Sequence, residues 1–398
     1  MNKQGDPVTG RVRLARGREE AAQAGSLWIF AGHIDEVSGD PKAGDVVDVC
    51  AHSGRFLGRG FFNPQSKIRV RLLTFHDEPI DGTFWVSRIA AAQALRRRVV
   101  SGTTAYRLIH GESDLLPGLV VDRYADVLVM QTLSFGMARR RNLLADLLLK
   151  ETGASAVYLR NDVHSLALEG LPIEQRFLRG ESPPMIEITE GAAQFVVDIE
   201  HGQKTGWFCD QRENRLAVTS LAVGAAVLEA FCHTGAFGIH AALNGAASVL
   251  GLDVSREAVK MARAHAVMNK VEDRCEYRDA DVFEEFPQLE RAGDRYDLVI
   301  LDPPSFARTK QAVPQALAGY KQINLRALRL VRSQGFLATC SCSHHVGEEE
   351  FWRMLQDAAR DAKRQVRLIE RRSQARDHPV LAAMPETRYL KCFILQVL

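Results

Sequence analysis

Residues 296–306, Tyr-Asp-Leu-Val-Ile-Leu-Asp-Pro-Pro-Ser-Phe, run from an apolar stretch directly into a carboxylate and two prolines. A short continuous run of Leu, Val and Ile is typical of a buried parallel strand. Ligands of open α/β sheets bind beyond the carboxyl ends of such strands, so Asp302 is predicted to lie at a substrate site. The alternative is that Asp-Pro-Pro simply ends a strand, because each proline fixes its own φ and restricts the preceding residue.

A second segment, residues 335–343, joins an apolar run to two cysteines in Gly-Phe-Leu-Ala-Thr-Cys-Ser-Cys-Ser. It predicts a strand with Cys340 and Cys342 on one face near its carboxyl end, because side chains alternate along a strand. A partly exposed, activated thiolate can attack C6 of a cytosine and make C5 nucleophilic enough to accept a methyl group. The alternative is a core cysteine, since free Cys is among the most buried residue types. The flanking serines and the following histidine pair favour the functional interpretation.

A glycine-containing turn precedes both segments and is predicted to position them. The apolar run 225–231 is followed by Cys-His-Thr-Gly-Ala-Phe-Gly and by a small-residue helical pattern. Gly235 and Gly238 permit the positive φ angles and the close backbone approach that a strand-to-helix loop needs around a cofactor. The spacing of two glycines is a weak signal by itself.

Two acidic residues follow the next predicted strands. Residues 248–254 form an apolar run that contains Asp253 near its end, and an acidic residue at this position can bind ribose hydroxyls. Ser255 is a predicted N-cap for an amphipathic helix that extends to about residue 269. A short strand ending in Asp281 then precedes the strand that leads to Asp302.

The alternation of strands and helices predicts a doubly wound parallel sheet. Its order resembles a Rossmann-like class I S-adenosylmethionine-dependent methyltransferase. The resemblance implies that Glu229, Phe231 and Gly235 cradle the methionine part of the cofactor, that Asp253 binds the ribose, and that Asp281 lies near the adenine amino group. NAD is the competing cofactor, but the loop lacks the full Gly-x-Gly-x-x-Gly fingerprint that a pyrophosphate requires.

Nearly the whole chain resembles the bacterial family of 23S ribosomal RNA cytosine-5 methyltransferases with an N-terminal PUA domain. The matching segments are residues 26–30, 111–124, 204–215, 302–306, 341–343 and 377–379. The resemblance implies that Asp210 and Gln211 belong to an element that closes over the cofactor. It also implies that Cys342, in Ser-Cys-Ser, is the nucleophile and that Asp302 contacts both base and cofactor. Cys340 stays a rival, because other RNA cytosine-5 methyltransferases use Thr-Cys-Ser, which Thr339 to Ser341 also satisfies.

Two alternative functions remain open. Many cytosine-5 enzymes carry a second cysteine after the Asp-Pro of the fourth strand, where this chain has Pro304, Ser305 and Phe306. An Asp-Pro-Pro turn also occurs in enzymes that methylate a guanine or adenine nitrogen without a covalent adduct, with an aromatic ring stacked on the flipped base. The other alternative is a non-catalytic RNA-binding ribosome-assembly factor, because a fold does not establish activity.

Composition limits the classes of protein to which the chain can belong. With 398 residues, 46% hydrophobic and 25% charged, the chain is typical of a multidomain globular protein. It contains no predicted membrane span or signal peptide, and an odd count of seven cysteines without framework spacing predicts the reducing cytoplasm. The cysteines and the histidine pair at 344–345 lack a second ligand cluster, so no metal site is predicted.

The predicted organisation is multidomain α/β with three parts. Residues 1–76 are predicted as a small β barrel, which the resemblance makes a PUA-like RNA-binding domain. Residues 77–190 form a central α+β insert, and residues 191–398 form the methyltransferase sheet. Large-subunit ribosomal RNA is the implied partner, with no membrane, and the resemblance suggests a homodimer. A net charge of only +2 means that RNA contact depends on local patches, with candidates at Arg69 and Arg71, Arg96 to Arg98, and Arg140 and Arg141.

Overall fold

The computed structural model describes residues 5–307 and 309–398. The chain forms two compact units. The first comprises the chain up to Ile188 together with Val197–Cys209 and Arg376–Thr387. The second comprises Thr189–Val196, Asp210–Ala375 and Arg388–Leu398. The division into three domains at residues 76 and 190 stays a prediction.

The first unit begins with a six-stranded mixed sheet. Its elements are β1 (Val8–Leu14), α1 (Glu20–Gln23), β2 (Trp28–Phe30), β3 (Ile34–Gly39), β4 (Val46–Cys50), β5 (Phe56–Phe62) and β6 (Ile68–Thr74). The strand order is β2-β6-β5-β4-β1-β3, with β1 and β4 parallel and the other neighbours antiparallel. Buried residues such as Val12, Val49 and Leu72 form one core cluster. The short alternating strands predicted here are confirmed.

A second sheet of five strands follows in the same unit. Its elements are α2 (Gly82–Val99), β7 (Ala105–His110), β8 (Leu119–Tyr124), β9 (Val127–Thr132), α3 (Phe135–Arg139), α4 (Arg141–Thr152), β10 (Ala156–Asn161) and β11 (Glu174–Arg179). The strand order is β11-β10-β9-β8-β7. Asp81 caps α2 by accepting a hydrogen bond from the Phe84 amide at 2.9 Å, which satisfies one of the free amides of the first turn.

Several arginines considered as RNA contacts are used inside the first unit. Arg71 forms ion pairs with Glu112 at 3.3 Å and Glu169 at 2.8 Å. The Arg96 side chain is buried and binds Asp114. Such pairs hold the guanidinium groups in place, because a buried charge is stable only when it is paired and hydrogen-bonded. RNA contact by these two residues is therefore not supported.

The remaining elements lead to the large sheet of the second unit. A two-stranded sheet of β12 (Met185–Glu190) and β13 (Ala193–Asp198) comes first. It is followed by α5 (Arg212–Thr219), β14 (Ala226–Ala230), α6 (Ala236–Leu243), β15 (Ser248–Asp253), α7 (Arg256–Met268), β16 (Cys275–Asp279), α8 (Val282–Ala292), β17 (Tyr296–Leu301), α9 (Val313–Leu330), β18 (Val331–Ser341), α10 (Glu348–Ala362), β19 (Val366–Arg372) and β20 (Lys391–Val397).

Seven strands form this sheet in the order β16-β15-β14-β17-β18-β20-β19. The first five are parallel, and β20 runs antiparallel to both of its neighbours. The predicted doubly wound parallel sheet is confirmed, and β19 and β20 extend it. Leu228, Val299 and Leu337, from three adjacent strands, lie in the main core cluster of this unit. The central strands read as continuous apolar runs because helices cover both faces of such a sheet.

Local predictions in this unit were mostly correct. Ser255 caps α7, with its hydroxyl accepting from the Ala258 amide at 3.3 Å. The predicted strand end at Asp281 is wrong by two residues, because β16 ends at Asp279 and Asp281 caps α8 instead. Among residues 5–307 and 309–398, no helix combines the length and the apolar character needed to cross a membrane.

Candidate cofactor and catalytic site

The strand order of the second unit reverses between β14 and β17. These two parallel strands are neighbours, with Ala230 paired to Leu301, and the chain leaves both at the same edge of the sheet. The Asp302 amide donates to the Ala230 carbonyl at 3.4 Å, so the two segments that follow these strands meet. A crevice beyond such a reversal is where doubly wound sheets bind their ligands.

The loop after β14 has an unusual backbone. Phe231, His233 and Gly235 all have positive φ angles, of 61°, 49° and 78°. For a bulky side chain such as Phe231 this conformation is a rare outlier, and strain of this kind collects at functional sites. Positive φ angles at every second residue turn the backbone sharply between β14 and α6. The loop that the sequence assigned to a cofactor is thus the most strained part of this edge.

The two glycines of the loop serve different purposes. Gly235 has the predicted positive φ, and a Cβ there would come within 2.6 Å of the Tyr277 hydroxyl oxygen. The positive φ predicted for Gly238 is wrong, since this residue lies inside α6. A Cβ at Gly238 would come within 2.6 Å of Glu229 Oε2. Close approach of a carboxylate, rather than backbone conformation, therefore requires glycine at this position.

Glu229 ties the loop to the end of β14. Its carboxylate is buried and accepts hydrogen bonds from the amides of Phe237 at 3.2 Å and Gly238 at 2.9 Å. Burial, with a smaller contribution from the nearby charge of Asp302, raises the pKa of Glu229 to about 8, while these two amides oppose the shift. Glu229 thus holds the first turn of α6 against the strand and lies close enough to Asp302 to sense its charge.

The acidic residues of the neighbouring strands border the same edge. Asp253 is partly exposed and accepts from the amides of His233 at 2.8 Å and Ser255 at 2.9 Å. It therefore links the strained loop to the start of α7. Asp281 is exposed, and its Oδ1 accepts from the Phe283 amide at 2.8 Å. Because adjacent parallel strands end at one edge, these carboxylates follow one another along the crevice in strand order.

Gln211 orients the catalytic candidate Asp302. Its Nε2 donates to Asp302 Oδ1 at 2.8 Å, while its Oε1 accepts from Asn214 Nδ2 at 2.7 Å. The buried Asp210 beside it accepts from the Tyr389 hydroxyl at 2.6 Å. Both residues were predicted to lie over the cofactor, and the structure brings Gln211 to Asp302. A fixed amide donor stabilises the ionised carboxylate and fixes the direction of its free lone pairs.

The two candidate nucleophiles have different environments. Cys340 lies inside β18, is fully buried and is paired with Cys392 of β20. A hydrogen bond with Cys392, together with burial, raises the pKa of the Cys340 thiol well above its ordinary value. Cys342 is the first residue after Ser341, where β18 ends, and is partly exposed. Since the thiolate is the reactive form, only Cys342 has the setting of a nucleophile.

A hydroxyl network that the sequence did not reveal joins the segments that carry Cys342 and Asp302. Ser343 Oγ lies 3.0 Å from Ser305 Oγ and 2.9 Å from the Tyr320 hydroxyl, to which Ser341 donates at 3.1 Å. The serines on both sides of Cys342 are thereby connected to the turn that follows Asp302. Tyr320 was missed because it lies on the buried face of α9, where an aromatic residue is expected to be part of the hydrophobic core. The network holds the nucleophile turn and the carboxylate turn in a fixed relation.

Comparisons with known proteins identify the family of the chain. A PUA-like domain model matches residues 12–75, and an S-adenosylmethionine-dependent methyltransferase model matches residues 168–392. The sequence is 44% identical over 393 residues to ribosomal RNA large subunit methyltransferase I of Shewanella denitrificans, covering 97% of this chain and 99% of that protein. It is 40% identical over 394 residues to the protein of the same name from Tolumonas auensis, with the same coverage.

A solved structure has the same fold. A chain from Streptococcus mutans superimposes with a TM-score of 0.83 over 97% of this chain and 100% of that chain, at 21% identity. At this identity the likeness establishes the architecture.

Proposed function

Because the chain belongs to the S-adenosylmethionine-dependent methyltransferase family that includes ribosomal RNA large subunit methyltransferase I, we propose that it methylates C5 of a cytosine in 23S ribosomal RNA. One observation carries the choice of chemistry. Cys342 is partly exposed directly after β18, one strand away from Asp302, whereas Cys340 is buried. A methyltransferase that acts on a base nitrogen does not need a thiol at this position, but C5 of cytosine is too weakly nucleophilic to react without one.

The cofactor of the family is S-adenosylmethionine, which supplies an electrophilic methyl group when bound. The strained loop fits this ligand, since alternating positive φ angles turn backbone groups toward a bound molecule and Gly235 keeps the turn open. Phe231 and Gly235 would hold the methionine part, and Asp253 and Asp281 would face the ribose and the adenine. Asp210, Gln211 and Glu229 complete the proposed cofactor site, where Glu229 binds the Gly238 amide, Gln211 binds Asp302 and Asp210 binds the Tyr389 hydroxyl.

Cys342 and Asp302 would divide the chemistry on the base. The Cys342 sulfur forms a bond to C6 of the cytosine, and the electron pair of the C5–C6 double bond becomes available at C5. Asp302, held by Gln211, would accept a hydrogen bond from the cytosine amino group and keep the ring in register. After C5 has gained the methyl group, a base takes the C5 proton, the C5–H bonding pair restores the C5–C6 double bond, and the sulfur leaves C6 with the C–S bonding pair.

Methylation of a base nitrogen has less support. The Phe306 ring of the Asp-Pro-Pro-Ser-Phe turn lies 4.6 Å from the Tyr320 ring and 6.2 Å from the Phe283 ring, measured between centroids. If Phe306 stacked on a flipped base, it would have to do so beside these two ring contacts or give them up. That mechanism also gives no role to Cys342.

Nucleoside mass spectrometry tests the proposal. Large-subunit ribosomal RNA lacking the modification is incubated with the full chain and methyl-labelled S-adenosylmethionine, and the digested nucleosides are separated. We expect the label in 5-methylcytidine. Label in a methylated guanosine or adenosine would establish the nitrogen alternative. RNA binding without any label would establish a non-catalytic factor.

Gly235→Ala is expected to weaken S-adenosylmethionine binding by at least about tenfold, because the new methyl group meets the Tyr277 hydroxyl and the positive φ is disfavoured. Isothermal titration calorimetry measures the affinity. Gly224→Ala is the matched control, since its φ is +68° and nothing lies within 4 Å of a Cβ there. It carries the same backbone cost without the contact. Equal affinities in the two variants would contradict a cofactor role for the loop.

The partner, oligomeric state and location belong to this proposal. The PUA-like match at residues 12–75 and the names of the relatives support large-subunit ribosomal RNA as the partner. A homodimer and a cytoplasmic location stay predictions. So do the boundaries of the three domains.

A further inference from the structure

Lys391 is a buried cation next to the candidate nucleophile. It is the first residue of β20 and is paired with Ser341 at the end of β18. Only 6% of its surface is exposed. Lysine is almost never buried to this extent without a compensating partner, because removing an ammonium group from water is costly. The position therefore requires an explanation.

The lysine Nζ is directed to the turn that holds Cys342. It donates to the main-chain carbonyl of Ser343 at 2.7 Å and to that of Val346 at 2.9 Å. These two hydrogen bonds close the turn that starts at Cys342. The ammonium group is thus fixed by two neutral acceptors in the segment that follows Cys342, and neutral carbonyls do not cancel its charge.

Several charged groups act on Lys391. Burial lowers the pKa of Lys391 to about 8, and among the charges that oppose this shift the Cys342 thiolate has the largest effect. Glu348 and Glu350, from the start of α10, also favour the ammonium form, while Arg388 opposes it. On the other side of Cys342, Tyr320 of α9 senses the thiolate, which contributes to the raised pKa of its hydroxyl.

We propose that Lys391 is a positioning residue that keeps Cys342 in the thiolate form and fixes the turn that carries it. The inference rests on the proposed attack of Cys342 on cytosine. It gives that reaction its missing activator, because a nucleophilic cysteine needs a neighbouring cation or base.

The proton of Cys342 leaves to solvent in this step. In the part of the chain that the structure describes, Nζ uses two N–H bonds for the carbonyls of Ser343 and Val346. Lys391 stays an ammonium group, since a pKa of about 8 keeps its amine protonated at pH 7. When the S–H bond of the partly exposed Cys342 breaks, its proton passes to water and the bonding pair stays on the sulfur. The product is a thiolate near the Lys391 ammonium group, and no further reactant is required.

The experiment measures how fast iodoacetamide labels Cys342 in the full chain as a function of pH, with the labelled peptide quantified by mass spectrometry. Iodoacetamide reacts with thiolates, so the rate reports the thiolate fraction. In Lys391→Gln we expect labelling at pH 7 to fall about tenfold and the profile to move to higher pH. Glutamine keeps two N–H donors for the carbonyls but carries no charge. Lys391→Arg, which keeps the charge, should restore most of the rate.

Two controls separate electrostatics from unfolding. Burial raises the pKa of the Cys275 thiol to about 12, so its slow labelling in the same samples reports that the fold is intact. Thermal unfolding of each variant provides a second check. The inference would be overturned if the pH profile of Cys342 labelling in Lys391→Gln coincides with the wild-type profile while Cys275 is still labelled slowly. If Lys391→Gln does not fold, an arginine variant that folds but labels Cys342 at least tenfold more slowly would overturn it as well.

Failure of the proposed function can be distinguished from failure of the inference about Lys391, because iodoacetamide labelling needs neither RNA nor cofactor. Methyl label in a purine would refute cytosine methylation. If the pH profile of Cys342 labelling nevertheless depends on Lys391, the proposed effect of Lys391 on the thiolate is retained. Methyl label in 5-methylcytidine together with a profile independent of Lys391 would refute only the role of Lys391.

Discussion

Cys342→Ala is expected to lower the formation of 5-methylcytidine by at least about a thousandfold, because the variant has no sulfur to add to C6 and C5 then remains a poor nucleophile. Binding of S-adenosylmethionine should be unchanged, since all of the predicted cofactor residues come before β18 in the chain. Methyl transfer to ribosomal RNA in single-turnover reactions measures the first effect, and calorimetry measures the second.

Cys340→Ala is the matched control for this prediction. It removes a thiol two residues earlier, inside β18, that is buried and paired with Cys392. We expect near-normal methylation and a modest loss of stability from the small cavity. Activity lost in Cys340→Ala and retained in Cys342→Ala would reverse the assignment.

RNA that contains 5-fluorocytosine gives an independent measurement. Fluorine cannot leave C5 as a proton does, so a protein–RNA adduct should accumulate with the wild-type chain and with Cys340→Ala. With Cys342→Ala we expect no covalent adduct on a denaturing gel. Gel mobility thus tests bond formation separately from turnover.

Glu190→Gln is expected to lower the free energy of unfolding by about 3–5 kcal/mol, because it removes the negative charge that Glu190 supplies to the buried Arg215. Both Glu190 oxygens accept from Arg215 at 2.6 Å, and His240 Nε2 lies 3.1 Å from Oε1. All three side chains are almost fully buried. Urea unfolding followed by fluorescence measures the change.

The pH dependence of this group has a definite sign. Burial alone would raise the pKa of Glu190, but the Arg215 guanidinium and His240 outweigh it and hold the pKa far below the ordinary value. The ionised carboxylate therefore stabilises the fold at pH values above the ordinary pKa of glutamate. This contribution is lost as the pH falls through the acid range toward the lowered pKa. Glu190→Gln should show a weaker loss of stability in that range than the wild-type chain.

Asp357→Asn provides the matched control, since Asp357 pairs with Arg360 at 2.6 Å at an exposed position. We expect a change of at most about 1 kcal/mol there. Replacing Glu190 and Arg215 together by methionines should recover most of the stability that the single variant loses, because an apolar pair needs no desolvation of charge. A small effect of Glu190→Gln would contradict the structural role of the pair.

The sequence predicted the parts of the fold that local patterns encode. Apolar runs located β14, β15 and β17, and the residues after them placed Asp302 at the crevice. The break between α3 and α4 at Arg140 is a feature that local patterns do not encode. Helical periodicity continues across such a break, so it gives no signal in the pattern.

Contacts between distant segments could not be predicted in this way. The Glu190 to Arg215 pair, Gln211 on Asp302 and Lys391 on the Cys342 turn each join residues that are far apart in the chain. Each of these side chains alone resembles an ordinary surface residue, and only folding reveals that it is buried. The antiparallel pairing of β20 was missed for the same reason, since an apolar run in the sequence indicates neither the direction of the strand in the sheet nor the strand that it pairs with.

The position of β20 has a consequence for the order of assembly. β20 comes after β19 in the chain but lies between β18 and β19 in the sheet, so β19 has no partner in this sheet until β20 inserts. During that interval the edge of β18 beside Cys342 exposes unpaired main-chain groups, a surface that invites wrong pairing. Such long-range pairing is also slow to form. Lys391 reaches the turn after Cys342 only when β20 has inserted between β18 and β19.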